Sequence, residues 1–359
     1  MTMHGQLILF PYYLSLKIRH AMYDHNFLVK SRKAEVPTIC IGNVTVGGTG
    51  KTPHTEMILD TLMRTEEWGR RNIAVLSRGY KRKSRGFRIV DVDGAALTFG
   101  DEPLQIKHNF PWATVAVDKD RNNGCDLLAH PEKSQVRNYP AAELVILDDA
   151  FQYRRLKPTV NIVLVDYNRP VSKDRLMPLG RLRDLPERIG KAQIVIVTKC
   201  PLYLQDDERE QFARDLKIRP DQKLFFTSID YSQPEAIFPD TCNARYIYSN
   251  KAIVFSGIAG DTPLVQYLSG TYKIVKRLSF GDHHRYRNKD IRAIENAIAK
   301  WPTAAVITTE KDAQRVREVR KMPPQLKERL FQVPIKVAFL TPEDAEDFRR
   351  TLLEAIKVD

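Results

Sequence analysis

The chain has 359 residues, enough for two domains with buried cores, and its 43% apolar and 28% charged content is ordinary for a folded soluble protein. A formal net charge of +13 favours an acidic partner (a nucleotide, a nucleic acid, an anionic lipid or a phosphorylated substrate) without choosing among them. Cys40, Cys125, Cys200 and Cys242 lie far apart with no CxxC pair, which excludes a zinc-like cluster and reads as reduced thiols in a cytosolic fold.

No stretch reaches the roughly 18 consecutive apolar residues of a membrane-spanning helix. The N-terminus is unusual all the same. Leu7-Ile8-Leu9-Phe10-Pro11-Tyr12-Tyr13-Leu14 is apolar and aromatic, and Lys17, Arg19, Lys30, Arg32 and Lys33 follow it. Cations after the apolar run, with no small-residue cleavage site, argue against a signal peptide. Two readings stay open: a helix lying in an anionic membrane surface, or a terminal helix packed on the protein's own core.

Next comes the most informative stretch, Thr45-Val46-Gly47-Gly48-Thr49-Gly50-Lys51-Thr52, between a β-branched run over 36–41 and a helical pattern over 52–62. Glycines let a backbone fold around phosphate with its N–H groups inward, and a helix N-terminus adds partial positive charge there. Lys51 is placed to reach β- and γ-phosphates and Thr52 to hold Mg²⁺. Thr45 stands where such loops usually begin with glycine.

Apolar strands are expected at 38–41, 73–77, 87–90, 114–117, 144–147, 162–165, 194–198 and 224–227, alternating with helical or loop segments. The pattern predicts an α/β fold: a P-loop NTPase-like, doubly wound, mostly parallel sheet that binds ligands at the C-terminal strand ends. A Pro- and Asn-rich stretch over 231–250 reads as a linker. A second alternation follows, with strands at 252–255, 273–278, 304–308 and 335–340 and helices at 263–268, 290–300, 313–320 and 342–356. The expected organisation is therefore an N-terminal segment over 1–33, membrane-associated on the first of those two readings, a P-loop NTPase-like domain over 34–230, a linker over 231–250 and a smaller α/β domain over 251–359.

Several motifs carry titratable groups. Asp148-Asp149 ends an apolar strand about 100 residues after the loop, where a carboxylate would hold Mg²⁺ directly or through water. Gly100-Asp101-Glu102-Pro103 offers two acids, as a general base or a magnesium contact, although spacing alone favours a helix cap. In Asp282-His283-His284, adjacent side chains in extended chain point opposite ways, so a shared metal is disfavoured, while a single histidine suits proton relay. Thr309 with Asp312 resembles a capping box, and Lys311 lies between them. Arg78 follows a strand end, and Arg175, Arg181 and Arg183 surround Gly180 in a basic loop suited to an anionic substrate. Thr198-Lys199-Cys200-Pro201 stands where guanine-specific proteins carry Asn-Lys-x-Asp, and the missing acid argues for ATP.

Taken together, Gly42 to Pro53, Ser77-Arg78-Gly79-Tyr80, Gly100-Asp101-Glu102-Pro103, Asp148-Asp149 with Gln152, Asp282-His283 and Thr309-Glu310-Lys311-Asp312 closely resemble the tetraacyldisaccharide 4'-kinase family over nearly the whole chain. Thr45 is itself normal for that family. Ala150-Phe151 and Tyr153 depart from its common Asp-Asp-Gly-Leu-Gln-His, so no role is carried to Ala150 or Tyr153. The resemblance implies ATP-dependent, Mg²⁺-assisted phosphorylation of the 4'-hydroxyl of an acylated glucosamine disaccharide 1-phosphate in lipid A biosynthesis, with no nucleic-acid partner. It implies a monotopic or peripheral enzyme on an anionic membrane surface, the cytoplasmic face of the bacterial inner membrane. It implies Asp101 as base assisted by His283, Thr45 to Thr52 (Val46, Gly47, Gly48, Thr49, Gly50 and Lys51 included) around the nucleotide, and Thr52, Asp148, Asp149 and Glu102 as metal or water contacts. Arg78, Arg181 and Arg183 are the candidate substrate contacts. Two other readings are a partitioning or metallochaperone-type P-loop ATPase, although Val46 replaces the lysine usual before its paired glycines, and a nucleotide-gated module binding nucleic acid or membrane.

Overall fold

The computed structural model describes residues 3–136 and 138–357, with side chains from residue 9 onward. The side chains of Leu7 and Ile8 in the expected anchor, and the extreme ends of the expected first and last domains, lie outside the described residues.

Two sheets organise the chain. The larger contains β1 (Thr38–Gly42), β2 (Ile73–Ser77), β3 (Arg88–Ile89), β4 (Thr114–Val117), β5 (Leu144–Asp148), β6 (Val160–Asp166), β7 (Ile194–Thr198) and β8 (Lys223–Tyr231). The smaller contains β9 (Glu235–Ala236), β10 (Lys251–Ser256), β11 (Lys273–Ser279), β12 (Ala305–Thr309) and β13 (Leu330–Val333). The ninth strand of the larger sheet is β14 (Ile335–Phe339), and the order is β14-β8-β7-β6-β1-β5-β2-β4-β3. All its neighbours run parallel except the two edges, β14 on β8 and β3 on β4. The smaller sheet runs β11-β10-β12-β13-β9, antiparallel only at β9.

The inner strands are buried on both faces, which explains their unbroken Val, Ile and Leu. Ile39 and Ile41 pack on one side with Ile58, Leu59 and Leu62 of the helix Lys51–Met63. Cys40 points to the opposite layer, with Val145, Leu147 and Val163. Central β1 lies between β5 and β6, so the loop leaving it at Gly42 emerges among the C-terminal ends of its neighbours.

The domain boundary differs from the sequence expectation. The sequence alternation places strand 335–340 and helix 342–356 in the smaller unit, but β14 pairs with β8 in the larger sheet, Val337 opposite Ile229. The helix Pro342–Lys357 follows it back, seating Phe348, Leu352 and Ile356 on the core that holds Phe225. Their i, i+4, i+8 spacing makes one apolar stripe, and each fully buried side chain contributes about 1.5–3 kcal/mol. The return also covers the exposed edge of the long strand β8. The expected linker is partly structured too, since Tyr231 ends β8 and β9 joins the smaller sheet. The smaller unit is thus an insertion whose chain enters and leaves beside the same edge.

The helix Met3–Asp24 lies on the larger unit. Its inner face carries buried Leu16 and His20. His20 Nε2 lies 2.6 Å from Asp184 Oδ1, Arg154 reaches His20 Nδ1 at 3.0 Å and Asp24 at 2.6 Å, and the Tyr12 hydroxyl donates to the Arg183 carbonyl at 2.9 Å. Among the described residues, no helix is long and apolar enough to cross a membrane.

Candidate active site

The glycine loop after β1 leads straight into a helix, as the sequence pattern predicts. Gly50 caps the helix Lys51–Met63 at φ +85°, a left-handed conformation that costs glycine little. Inside the loop, buried Asn43 donates through Nδ2 to Thr49 Oγ1 at 2.8 Å and Thr45 Oγ1 at 3.2 Å. Val46 N donates to the Arg181 carbonyl at 2.7 Å, and Thr45 bridges Leu182, so the basic loop is laced to the glycine loop through its backbone. Arg183 N donates to the Val44 carbonyl at 2.9 Å.

Asp148 and Asp149 stand at the end of β5, beside this loop. Asp148 is buried and accepts long hydrogen bonds, at 3.3 Å, from both Thr55 Oγ1 and Ser77 Oγ. Burial first, then Glu102 and Asp149, push its carboxyl up to about 7, against the lowering pull of Lys51 and Lys311. One neighbourhood therefore gathers Lys51, Asp148, Asp149, Glu102 and Lys311. Asp149 sits at φ +46°, uncommon for a non-glycine residue and a mark of a constrained turn. Burial would raise its carboxyl, but Lys51 and Arg183 hold it below its ordinary value. Lys51 Nζ lies 3.9 Å from Asp149 Oδ2, and Arg183 donates to Asp149 Oδ1 at 2.5 Å and Asn43 Oδ1 at 2.7 Å.

Across from this edge, the smaller unit supplies the second half of the site. Asp101 opens the helix Asp101–Asn109 but does not cap it; Gly100 holds the cap position at φ +95°, where an added Cβ would lie 3.2 Å from Gly79 Cα. The carboxylate of Asp101 is turned instead to the smaller unit. Its Oδ2 lies 3.1 Å from His283 Nδ1, accepts from Arg315 Nε at 3.0 Å, and also accepts from Arg315 Nη2. Burial would raise this carboxyl; the hydrogen bond from His283 and the Arg315 guanidinium outweigh it and hold the group well below the usual carboxylate range. Asp101 stays ionised.

His283 itself sits at φ +57°, with the ring of Tyr80 5.3 Å away between centroids. His284 turns the other way, to Asp290 Oδ2 at 3.0 Å and onto the Phe280 ring, so the adjacent histidines share no ligand set. Glu102 accepts from Lys311 Nζ at 2.7 Å. Thr309 caps the helix Glu310–Arg317 through Asp312 N, as its sequence predicts. Arg78 and the Arg181 side chain are exposed at the rim.

Sequence reasoning missed Arg315 and gave Asn43 no role. Arg315 lies inside a helix, its guanidinium fixed by Asp312 Oδ1 and the Gly257 carbonyl, both at 3.0 Å, and no local pattern marks its partner 214 residues away. Asn43 had a usable signal, since a polar residue directly after a buried strand and before a glycine loop needs hydrogen-bond partners. The oxygen donors Thr52, Asp148, Asp149 and Glu102 suit a hard cation such as Mg²⁺, and burial, with Glu102 and Asp149 nearby, raises the Asp148 carboxyl.

The chain matches the family model described as tetraacyldisaccharide-1-P 4'-kinase over residues 7–357. A tetraacyldisaccharide 4'-kinase of Phocaeicola vulgatus is 39% identical over 328 residues, covering 90% of this chain and 87% of the relative. The enzyme of the same name from Parabacteroides distasonis is 37% identical over 92% of this chain and 88% of its own. The crystal structure of the "apo" form of LpxK from Aquifex aeolicus in complex with ATP superposes with a TM-score of 0.69 at 25% identity, covering 99% of this chain and all of that one. The family model across nearly the whole chain, together with relatives of one name over most of their length, identifies the chain as a member of the tetraacyldisaccharide 4'-kinase family.

Proposed function

We infer that this protein is an ATP-dependent kinase that phosphorylates the 4'-hydroxyl of an acylated glucosamine disaccharide 1-phosphate, the step its family performs in lipid A biosynthesis. The observation that carries the reading is the pairing of Lys51 and Asp149, beyond the C-terminal ends of β1 and β5, with Asp101 and His283 at the seam between the units. Lys51 and the loop over Thr45 to Thr52 bind the phosphates. Thr52, Asp148, Asp149 and Glu102 would hold Mg²⁺, which supplies neutralisation of phosphate charge when bound.

A sugar hydroxyl is a poor nucleophile, so the gain comes from alignment and from a local proton acceptor. Asp101 and His283 act as one acceptor: Arg315 keeps the carboxylate ionised, the carboxylate fixes the imidazole through Nδ1, and His283 Nε2, 3.9 Å from Asp282 Oδ2, is the ring nitrogen Asp101 does not hold. Arg78, Arg181 and Arg183 line the approach for an anionic substrate. Arg183 would exchange its present partners, Asp149 and Asn43, as substrate enters.

The helix Met3–Asp24 serves as a monotopic anchor on an anionic membrane, the cytoplasmic face of the bacterial inner membrane. Its outward stripe of Phe10, Leu14 and Ile18 is 59%, 44% and 53% exposed, and Lys17 and Arg19 accompany it. The buried His20–Asp184 contact fixes the opposite face. Incubating purified protein with ATP, magnesium and an acylated disaccharide 1-phosphate tests the activity: a product phosphorylated at the 4' position is expected, and ATP hydrolysis with no phosphorylated lipid would overturn the assignment.

A further inference from the structure

Three consecutive carbonyls of the glycine loop are each held by a side chain, two from residues at the end of β7 and one, His54, from the helix that follows the loop. Lys199 Nζ donates to the Gly48 carbonyl at 2.5 Å, and the same ammonium pairs with buried Asp166 Oδ2 at 2.6 Å. Thr198 Oγ1 donates to the Thr49 carbonyl at 3.0 Å. His54 Nδ1 lies 2.7 Å from the Gly50 carbonyl, and its Nε2 lies 3.0 Å from Thr227 Oγ1. A carbonyl can only accept, so His54 Nδ1 carries the proton and Nε2 accepts from the Thr227 hydroxyl. Burial pushes the His54 imidazole down to about 4, which keeps this neutral tautomer in place.

In a planar trans peptide the C=O and the following N–H point in opposite directions. Holding the carbonyls of Gly48, Thr49 and Gly50 outward therefore turns the N–H groups of Thr49, Gly50 and Lys51 inward. The first closes a tight turn on the Gly47 carbonyl at 3.1 Å. Those of Gly50 and Lys51 donate to no acceptor among the described residues. Lys199 reaches its position with φ +60°, a backbone conformation that costs a non-glycine residue energy and persists where surrounding contacts impose it.

We propose that Lys199, seated between Asp166 and the Gly48 carbonyl, is a positioning residue that braces the phosphate loop from behind, with Thr198 and His54, so that the Gly50 and Lys51 N–H groups face the nucleotide phosphates before it arrives. Its work is preorganisation: a loop already ordered loses less freedom when the ligand binds. The proposal rests on the phosphate-loop reading and assigns Lys199 a role distinct from base selection. It touches neither the substrate hydroxyl nor the Asp101–His283 pair.

The test compares Lys199→Met, which keeps the aliphatic stem, with Lys199→Arg, which restores a donor, and with Lys51→Ala. Lys199→Met should raise KM for ATP by about tenfold or more, the scale of one charge-assisted hydrogen bond, with kcat and the lipid KM much less affected. ADP affinity should fall similarly, AMP affinity should hold, and Lys199→Arg should recover part of the loss. Thr198→Val, which removes the adjacent donor, should shift ADP affinity in the same direction and serves if Lys199→Met fails to fold. Unchanged ADP affinity in folded Lys199→Met, or equal losses for ADP and AMP, would overturn the brace. If Lys51→Ala also bound ADP normally, the phosphate-loop reading itself would fail; loss in Lys51→Ala alone would sink only the brace.

Discussion

His283 Nδ1 and Asp101 Oδ2 meet at 3.1 Å although 182 residues separate them, so this pair joins the two units of the fold. Arg315 completes the contact from the smaller unit. A carboxylate bound this way is a weak proton acceptor alone but a firm anchor for an imidazole.

Arg315 should set the acid side of the pH profile. It holds the Asp101 carboxyl down, and Arg315→Gln lets that carboxyl rise. Activity of Arg315→Gln should then begin to fall at a higher pH on the acid side than it does in the unaltered enzyme. Kinetics across mildly acidic buffers decide this, and superimposable acid limbs would remove Arg315 from the proton path.

Stability should carry a second signature of the same seam. Asn109 Nδ2 links Glu56 Oε1 at 3.2 Å and Glu310 Oε1 at 3.1 Å. Burial first and then Glu310 push the Glu56 carboxyl from 4.5 up to about 8, and burial also raises Glu310. Between those values the folded state holds a proton that the unfolded state has lost, so this contribution is present at low pH and fades as pH rises toward 8. Glu56→Gln should flatten that part of the decline and melt above the unaltered protein at pH 8. Identical pH dependence of Tm in both proteins would contradict it.

Much of this arrangement was legible in the sequence. The β-branched run, glycine loop and helix over 36–62 give the strand–loop–helix unit directly, because glycine content and apolar patterning are local properties. Asp148 was legible as a strand-end carboxylate, and His283 and His284 as side chains pointing apart. Asp101 was not legible as a site residue from spacing, which favours a cap; only the family resemblance selected it, and the left-handed Gly100 takes the cap position instead. Arg315 and the return of β14 to the larger sheet were hidden for one reason: each is decided by a partner far away in sequence, and local periodicity carries no trace of it.

Membrane association should reside in the outer stripe of the first helix. Replacing Phe10, Leu14 and Ile18 together by Ser should lower co-sedimentation with anionic vesicles while ADP affinity is retained, because buried Leu16 and His20 still seat the helix. Equal vesicle binding by the triple variant would contradict the anchor.

Lys51→Ala should abolish phosphoryl transfer in a folded protein, since its ammonium faces Asp149 and the loop and not the core. Near-normal turnover with an unchanged melting profile would remove the phosphate-loop assignment.

The central claim, that Asp101 and His283 accept the sugar proton as one unit, is tested most directly by turnover of Asp101→Ala, His283→Ala and the double variant at saturating ATP with the acylated disaccharide 1-phosphate. Asp101→Ala should lose about 10²–10⁴-fold, the range for a missing general base, with ATP binding largely retained. The double variant should be little slower than Asp101→Ala alone, because a unit already broken loses little more. Losses that multiply would contradict the account, for they would mean that His283 works independently of the carboxylate it touches.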